Sequence, residues 1–283
     1  MERLTVESLS VVKSRGRPVP GYTVNPDGTL IPDVAIVSAL KDYRNQIDFS
    51  NAGGYQKLNH YLRRDFNFFV NQKKIYRLCR ENDLLLPKHK KKRRNGGKVC
   101  TNRIINGPNQ LWEFDIKYGY IHGSNRHFFI LIFIDVFTRK VMDYYVGLTC
   151  KAGDLKFTLQ NALKKANISS DNRLTIRSDN GTQMTSYVFQ DYLKQVELNL
   201  QHEFIPPSTP NKNAHVESFN SILEVEFLQV RYFKDFADAY QNTVAFIERY
   251  NNYRIHKSLG YRCPKDAIEA LQRGEKFIKD VRV

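Results

Sequence analysis

Two aspartates and a glutamate stand at positions that a hydrophobic core does not explain. Asp115 lies mid-way along the alternating stretch 111–118, on its polar side. Asp179 follows the run Leu174-Thr175-Ile176-Arg177-Ser178 and precedes Asn180-Gly181. Glu217 falls in the opening turns of a stretch carrying Val216, Phe219, Leu223 and Phe227 at helical spacing. Between Asp115 and Asp179 lie 63 residues, and between Asp179 and Glu217 lie 37. Taken singly, Asp179 caps a turn and Glu217 favours a helix N-terminus. Brought together, three carboxylates repel one another, and divalent cations relieve that repulsion. Hard oxygen donors with few protein contacts per ion suit Mg²⁺ (or Mn²⁺). Two such ions about 3.5–4 Å apart activate the attacking oxygen and stabilise the leaving one in an in-line phosphoryl displacement.

The elements that must position these residues are readable from apolar spacing. In 111–118, Trp112, Phe114, Ile116 and Tyr118 alternate with Glu113, Asp115 and Lys117, so Asp115 projects from the face opposite the aromatic one. Residues 128–134 are apolar on both faces, as a central strand is, and 141–146 form a third strand. Helices are expected at 153–166 and at 186–196. The latter would bury Val188, Phe189, Tyr192, Leu193 and Val196. Strands are expected at 174–179 and 198–205, and further helices start near Asn213 and cover 233–253 and 264–273. The order β-β-β-α-β-α-β-α is that of a mixed α/β sheet of five strands flanked by helices. It spans a core at 106–230, followed by a helical extension over 231–283.

Ahead of it the composition changes. The chain has 283 residues and a net charge of +15, and residues 1–100 hold 20 basic against 9 acidic side chains. So basic a segment points to a polyanionic partner. Residues 1–31 show little pattern. From residue 32 a helical face of Val34, Val37, Leu40 and Tyr43 is expected, then a helix over 55–66 with Leu58 and Leu62 one turn apart. A third helix, N-capped by Asn71, carries Ile75 and Leu78 inward and Lys73, Lys74, Arg77 and Arg80 outward. Together, residues 32–87 form a helix-turn-helix pattern. The run Lys88-His89-Lys90-Lys91-Lys92-Arg93-Arg94 opens a linker, 88–105, suited to tracking phosphates, and Lys90, Lys91, Lys92, Arg93 and Arg94 join the candidate DNA contacts. The longest apolar run, 128–134, is far too short to span a membrane. No signal-peptide core is visible, and Cys79, Cys100, Cys150 and Cys263 lack metal-site spacing, so reduced thiols in a cytoplasmic, nucleoid-associated protein are expected.

WEFDIKY around Asp115, IRSDNGTQMTS around Asp179 and NAHVESFNSILEVE around Glu217 resemble the three blocks of a DDE recombinase core, the ribonuclease H-like fold shared by transposases and retroviral integrases. YNNYRIHKSLGYRCP, from residue 250, resembles the C-terminal signature of insertion-sequence transposases of the IS-three family, and GGYQKLNHYLRRDFNFFVNQKKIYRLCRENDLL resembles their helix-turn-helix segment. The resemblance implies that Asp115, Asp179 and Glu217 are the metal-binding catalytic triad, holding two Mg²⁺ or Mn²⁺ ions. It implies strand cleavage at element ends by water, then attack of the freed 3′-hydroxyl on another phosphodiester. It further implies DNA partners (terminal inverted repeats and target), a homo-oligomer on DNA, and an upstream-frame protein or fusion. A non-catalytic DNA-binding regulator and a structure-selective nuclease are the alternatives.

Two departures stand out. The spacing of 37 is slightly longer than the family's. Seven residues after Glu217, where the family often has a basic DNA contact, this chain has Glu224; Lys212, Arg231 or Arg254 are the expected substitutes, with Lys257 as a further phosphate contact. Asp135 is read as stabilising the turn into Thr138-Arg139, and His215 as a surface histidine.

Overall fold

The computed structural model describes residues 20–46, 53–86, 103–205 and 213–283. The chain divides into two compact units, 1–92 and 93–283. Lys90–Arg94 and Lys212 lie outside the described residues.

In the first unit, β1 (Tyr22–Val24) and β2 (Leu30–Pro32) pair antiparallel around Asn25-Pro26-Asp27-Gly28, with Gly28 at φ +83° as the turn requires. This hairpin departs from the patternless reading of residues 1–31; strands of three residues are too short to show a period. Asn25 anchors it: its side-chain amide donates to the Asn67 carbonyl, and its oxygen accepts from the Phe69 N–H. Three helices follow, α1 (Asp33–Gln46), α2 (Tyr55–Phe66) and α3 (Gln72–Glu81). In α1 the buried face is Ile36, Ala39, Leu40 and Tyr43, while Val34 is exposed. The apolar residues of α1 offer two overlapping stripes, and packing selects the one that meets α2 and α3. In α2 and α3, Leu58, Leu62, Ile75 and Leu78 are buried, and the Asn71 side chain accepts from the Lys73 N–H at the start of α3. Lys73 and Arg80 are exposed. Lys74 and Arg77 instead engage Asp33, at 2.5 and 3.0 Å.

In the second unit, β4 (Leu111–Ile121), β5 (Arg126–Asp135) and β6 (Val141–Gly147) form an antiparallel meander. It follows β3 (Ile104–Ile105). The chain continues through α4 (Ala152–Lys165), β7 (Leu174–Ser178), α5 (Tyr187–Gln195), β8 (Leu200–Phe204), α6 (Ala214–Glu226), α7 (Phe236–Asn252) and α8 (Pro264–Gln272), ending in β9 (Val281–Arg282). The sheet order is β6-β5-β4-β7-β8, with β7 parallel to β4 and β8 parallel to β7. β3 and β9 pair with each other, a C-terminal closure that two-residue strands do not signal in sequence.

The alternation along β4 sorts its two faces. Trp112 and Phe114 enter a core with Leu131, Phe133, Leu155, Leu159, Leu174, Ile176 and Phe189, so α4 and α5 cover that face. Of the five residues expected inward on α5, only Phe189 is fully buried, and Val188 is 51% exposed; the helix lies at the margin of the sheet. On the opposite face Val216, Phe219, Leu223 and Phe227 of α6 and its C-cap are buried as the spacing predicts, and α7 adds Phe246 and Tyr250 against Phe219.

Candidate active site

The register between β4 and β7 places two of the three acidic residues. Leu111 pairs with Thr175, Trp112 with Ile176 and Glu113 with Arg177. Asp115 lies two residues beyond Glu113, and Asp179 two beyond Arg177. Both therefore fall in phase on the same face, at the point where β7 has ended and β4 continues. Adjacent strands run about 4.8 Å apart, so their charges meet. Asp115 is pushed up to about 6, first by burial and further by the charge of Asp179. The Asp179 carboxylate accepts from the Gly181 N–H at 3.0 Å. A β-carbon on Gly181 would stand 3.1 Å from that oxygen and 2.9 Å from Met184 Sδ; the absence of a side chain lets the turn close on the carboxylate.

α6 reaches the same place from above. The Asn220 side-chain amide donates to Asp115 Oδ2 at 2.8 Å, and the Ile116 N–H donates to Oδ1. Glu217 sits three residues before Asn220, on the same helix face, and is exposed. The buried Asn220 Oδ1 has no hydrogen-bond partner. Among the described residues, no three His, Cys, Asp or Glu side chains stand in an arrangement that would hold a metal ion. The structure thus brings Asp115 and Asp179 together, hangs α6 on Asp115 and puts Glu217 on the adjoining turn. The donor chemistry is of the kind a divalent cation takes: two neighbouring carboxylates, one of them raised by the other's charge, and beside them a buried amide oxygen without a hydrogen bond.

Several residues that matter here were not singled out from the sequence. Glu113 is fully buried, and its carboxylate binds the first turn of α6. His215, read as a surface histidine, has a side chain only 15% exposed and stands 3.0 Å from Glu113. On β7 and β8 the same sheet face carries Arg177, paired with Glu203, which also binds Arg103. Thus Glu113, Arg177 and Glu203 alternate in charge across β4, β7 and β8, and Arg103 closes the row from outside the sheet. His202 of β8 stands 3.0 Å from Ser178 Oγ, whose hydroxyl donates to the Asp179 carbonyl, and 3.1 Å from Gln190. Burial holds its pKa down at about 4, so it braces the Asp179 turn as a neutral ring.

Glu224 itself has a basic partner. Lys117, two residues past Asp115 on β4, pairs with Glu224 at 2.7 Å. The cation stands on the strand and the anion on the helix. Arg254 is a correction: it is buried, and its guanidinium grips Glu226 at 2.9 and 2.6 Å. Arg231 donates to Asn242. Lys257 is exposed. Asp135 behaves as expected, accepting from the Thr138 N–H and hydroxyl.

This sheet order, with acidic residues in phase on its central and neighbouring strands, defines a ribonuclease H-like domain. Integrase core domain models match residues 105–210 and 198–264, together more than half the chain, and an HTH-like domain model matches 43–93. The chain thus carries an integrase core domain preceded by an HTH-like domain. An uncharacterized 39.2 kDa protein of insertion element IS476 from Xanthomonas euvesicatoria is 31% identical over 220 residues, 78% of this chain and 61% of that one. The transposase for insertion sequence element IS904 from Lactococcus lactis is 29% identical over 186 residues, 63% of this chain and 71% of its own length. The chain thus spans about three-fifths of the length of the first of these relatives. Among solved structures, the HTLV-2 integrase catalytic core domain in complex with magnesium matches 56% of this chain at 14% identity and a TM-score of 0.43. No helix among the described residues is long and apolar enough to cross a membrane.

Proposed function

We propose that the chain is a DNA transposase, cleaving one strand at the ends of its element and joining the freed 3′-hydroxyl to a second phosphodiester. The observation that carries the reading is the in-phase placement of Asp115 and Asp179 at the open end of the β4–β7 pair, with α6 fastened to Asp115. Asp115, Asp179 and Glu217 would hold two divalent cations, Mg²⁺ or Mn²⁺. Those ions, when bound, polarise the phosphate and supply an activated oxygen. Asn220 fixes the orientation of Asp115 Oδ2, and the Gly181 N–H fixes Asp179. Lys117 would offer the DNA backbone a cation on the strand itself once phosphate competes with Glu224 for it. Lys73 and Arg80 of the first unit, the run Lys90–Arg94, Lys212 and Lys257 are the remaining candidate DNA contacts. Lys74 and Arg77 contribute through whatever charge Asp33 leaves uncompensated. The partners are element-end and target DNA, further copies of this chain and an upstream-frame protein, acting at the nucleoid.

The test is incubation of the purified chain with labelled element-end duplex in Mg²⁺ or Mn²⁺. Nicked and joined products are expected, and Asp179→Ala should yield neither. Products that survive that substitution overturn the assignment. Salt-sensitive binding with no metal-dependent cleavage identifies a regulator instead, and cutting without joining a nuclease.

A further inference from the structure

Glu113 poses a question that the acidic triad leaves open. A carboxylate with no exposure at all is costly to bury, and an apolar residue would fill the space as well. Its two oxygens are nevertheless fully used. Oε2 accepts from the His215 N–H at 2.8 Å and from the Val216 N–H at 2.9 Å, while Oε1 stands 3.0 Å from His215 Nδ1. Those two amides are among the first of α6, the group that a helix leaves unsatisfied. The residue in the N-cap position, Asn213, makes no side-chain cap. The cap of α6 therefore comes from the central strand, about a hundred residues away, and from the residue two before Asp115. Glu217 follows Val216 directly, so the carboxylate grips the backbone immediately ahead of it.

We propose that Glu113 is a positioning residue: by capping α6 from β4, it sets the height of that helix over the sheet and so the distance at which Glu217 faces Asp115. This rests on the reading of Glu217 as the third metal-binding carboxylate. Asn220 makes the second attachment, one turn further on. Two attachments to one strand, on either side of Glu217, define its place along the helix axis. A role in packing alone predicts that an apolar residue of similar size serves equally well. A positioning role predicts that only an acceptor of the same length does.

The experiment compares Glu113→Leu with Glu113→Gln in the full chain. Glutamine keeps an oxygen for the two amides and offers its nitrogen to His215 Nδ1; leucine offers neither. In metal-free protein, amide exchange at His215 and Val216 should accelerate at least about fivefold in the leucine variant, the equivalent of losing one helix cap. It should stay near wild type in the glutamine variant. The Mn²⁺ concentration for half-maximal nicking of an end duplex should rise about tenfold in the leucine variant, with rate recovering at high Mn²⁺, and glutamine should restore it. Glu113→Asp, which keeps the charge but withdraws it by one methylene, replaces leucine if that variant does not fold, with the same expectation. Wild-type exchange and wild-type Mn²⁺ dependence in the leucine or aspartate variant overturn the proposal. Glu217→Gln, run in parallel, separates the two claims. If it nicks normally, the triad reading fails and takes this role with it. If it is inactive while Glu113→Leu behaves as wild type, only the role of Glu113 fails.

Discussion

Asp115→Asn raises the thermal midpoint of the metal-free protein and abolishes its strand cleavage. The two effects have one origin. Burial and the neighbouring Asp179 push Asp115 up to about 6 from its ordinary 3.8, and burial pushes Glu113 up to about 7 from 4.5. A carboxyl group whose pKa is higher in the fold binds its proton more tightly there than in the unfolded chain. The native state is thus favoured at low pH, and stability falls as pH rises from about 4 through about 7. Above that window the ionised Asp115 costs the fold about 2 kcal/mol, allowing for partial solvent access. Asparagine keeps the shape and removes the charge. Metal-free Asp115→Asn should therefore melt about 4–8 °C above wild type at pH 8, and at a similar temperature at pH 4. Cleavage should fall by at least about a thousandfold, since a metal-ligand carboxylate cannot be replaced by a neutral amide. Differential scanning calorimetry at the two pH values, with and without Mg²⁺, checks the first part. Addition of Mg²⁺ should raise the midpoint of wild type and leave the variant unmoved. A variant less stable than wild type at pH 8 contradicts the account.

The second large effect concerns Arg254. Its guanidinium binds both oxygens of Glu226 at the C-terminal end of α6, and both side chains are more than nine-tenths buried. Arg254→Ala leaves the glutamate charged in a dry site, which costs about 3–5 kcal/mol. For a unit of this size that lowers the melting temperature by about 10 °C. Removing both partners together, Arg254→Met with Glu226→Leu, should recover most of the loss, because two apolar residues need no counter-charge. Denaturant unfolding of the single and double variants measures it. At a temperature where Arg254→Ala is folded, its DNA affinity and the salt dependence of that affinity should match wild type. A reduced salt slope with unchanged stability would restore Arg254 to the DNA contacts.

Arg254 illustrates where reading a sequence reaches its limit. In the stretch Tyr253-Arg254-Ile255-His256-Lys257 a basic residue looks like surface, and its partner lies 28 positions earlier, on α6. Glu113 is a similar case. Its place on the polar side of β4 follows from alternation with Trp112 and Phe114, but its burial depends on α6 closing over that side from 100 residues away. Asp115 and Asp179 were legible because each breaks a local pattern, a charge within an alternating strand and a charge at a strand end before glycine. The succession of strands and helices along the chain was legible because the apolar periods change sharply between strand and helix, whereas the spatial order of the strands, set by long-range pairing, was not. The inward face of α1 was not legible either, since Val34, Ile36, Val37, Ala39 and Leu40 satisfy more than one helical stripe and of these only Ile36, Ala39 and Leu40 are buried. The pairing of Lys117 with Glu224 required the register of strand against helix, which no local pattern encodes.

The most direct measurement is anomalous diffraction from crystals of the chain bound to element-end duplex and soaked in Mn²⁺. Two manganese peaks about 3.5–4 Å apart are expected, with carboxylate oxygens of Asp115, Asp179 and Glu217 as their protein ligands. Manganese bound without Asp115 and Asp179, or an occupied site to which Glu217 contributes no oxygen, contradicts the account.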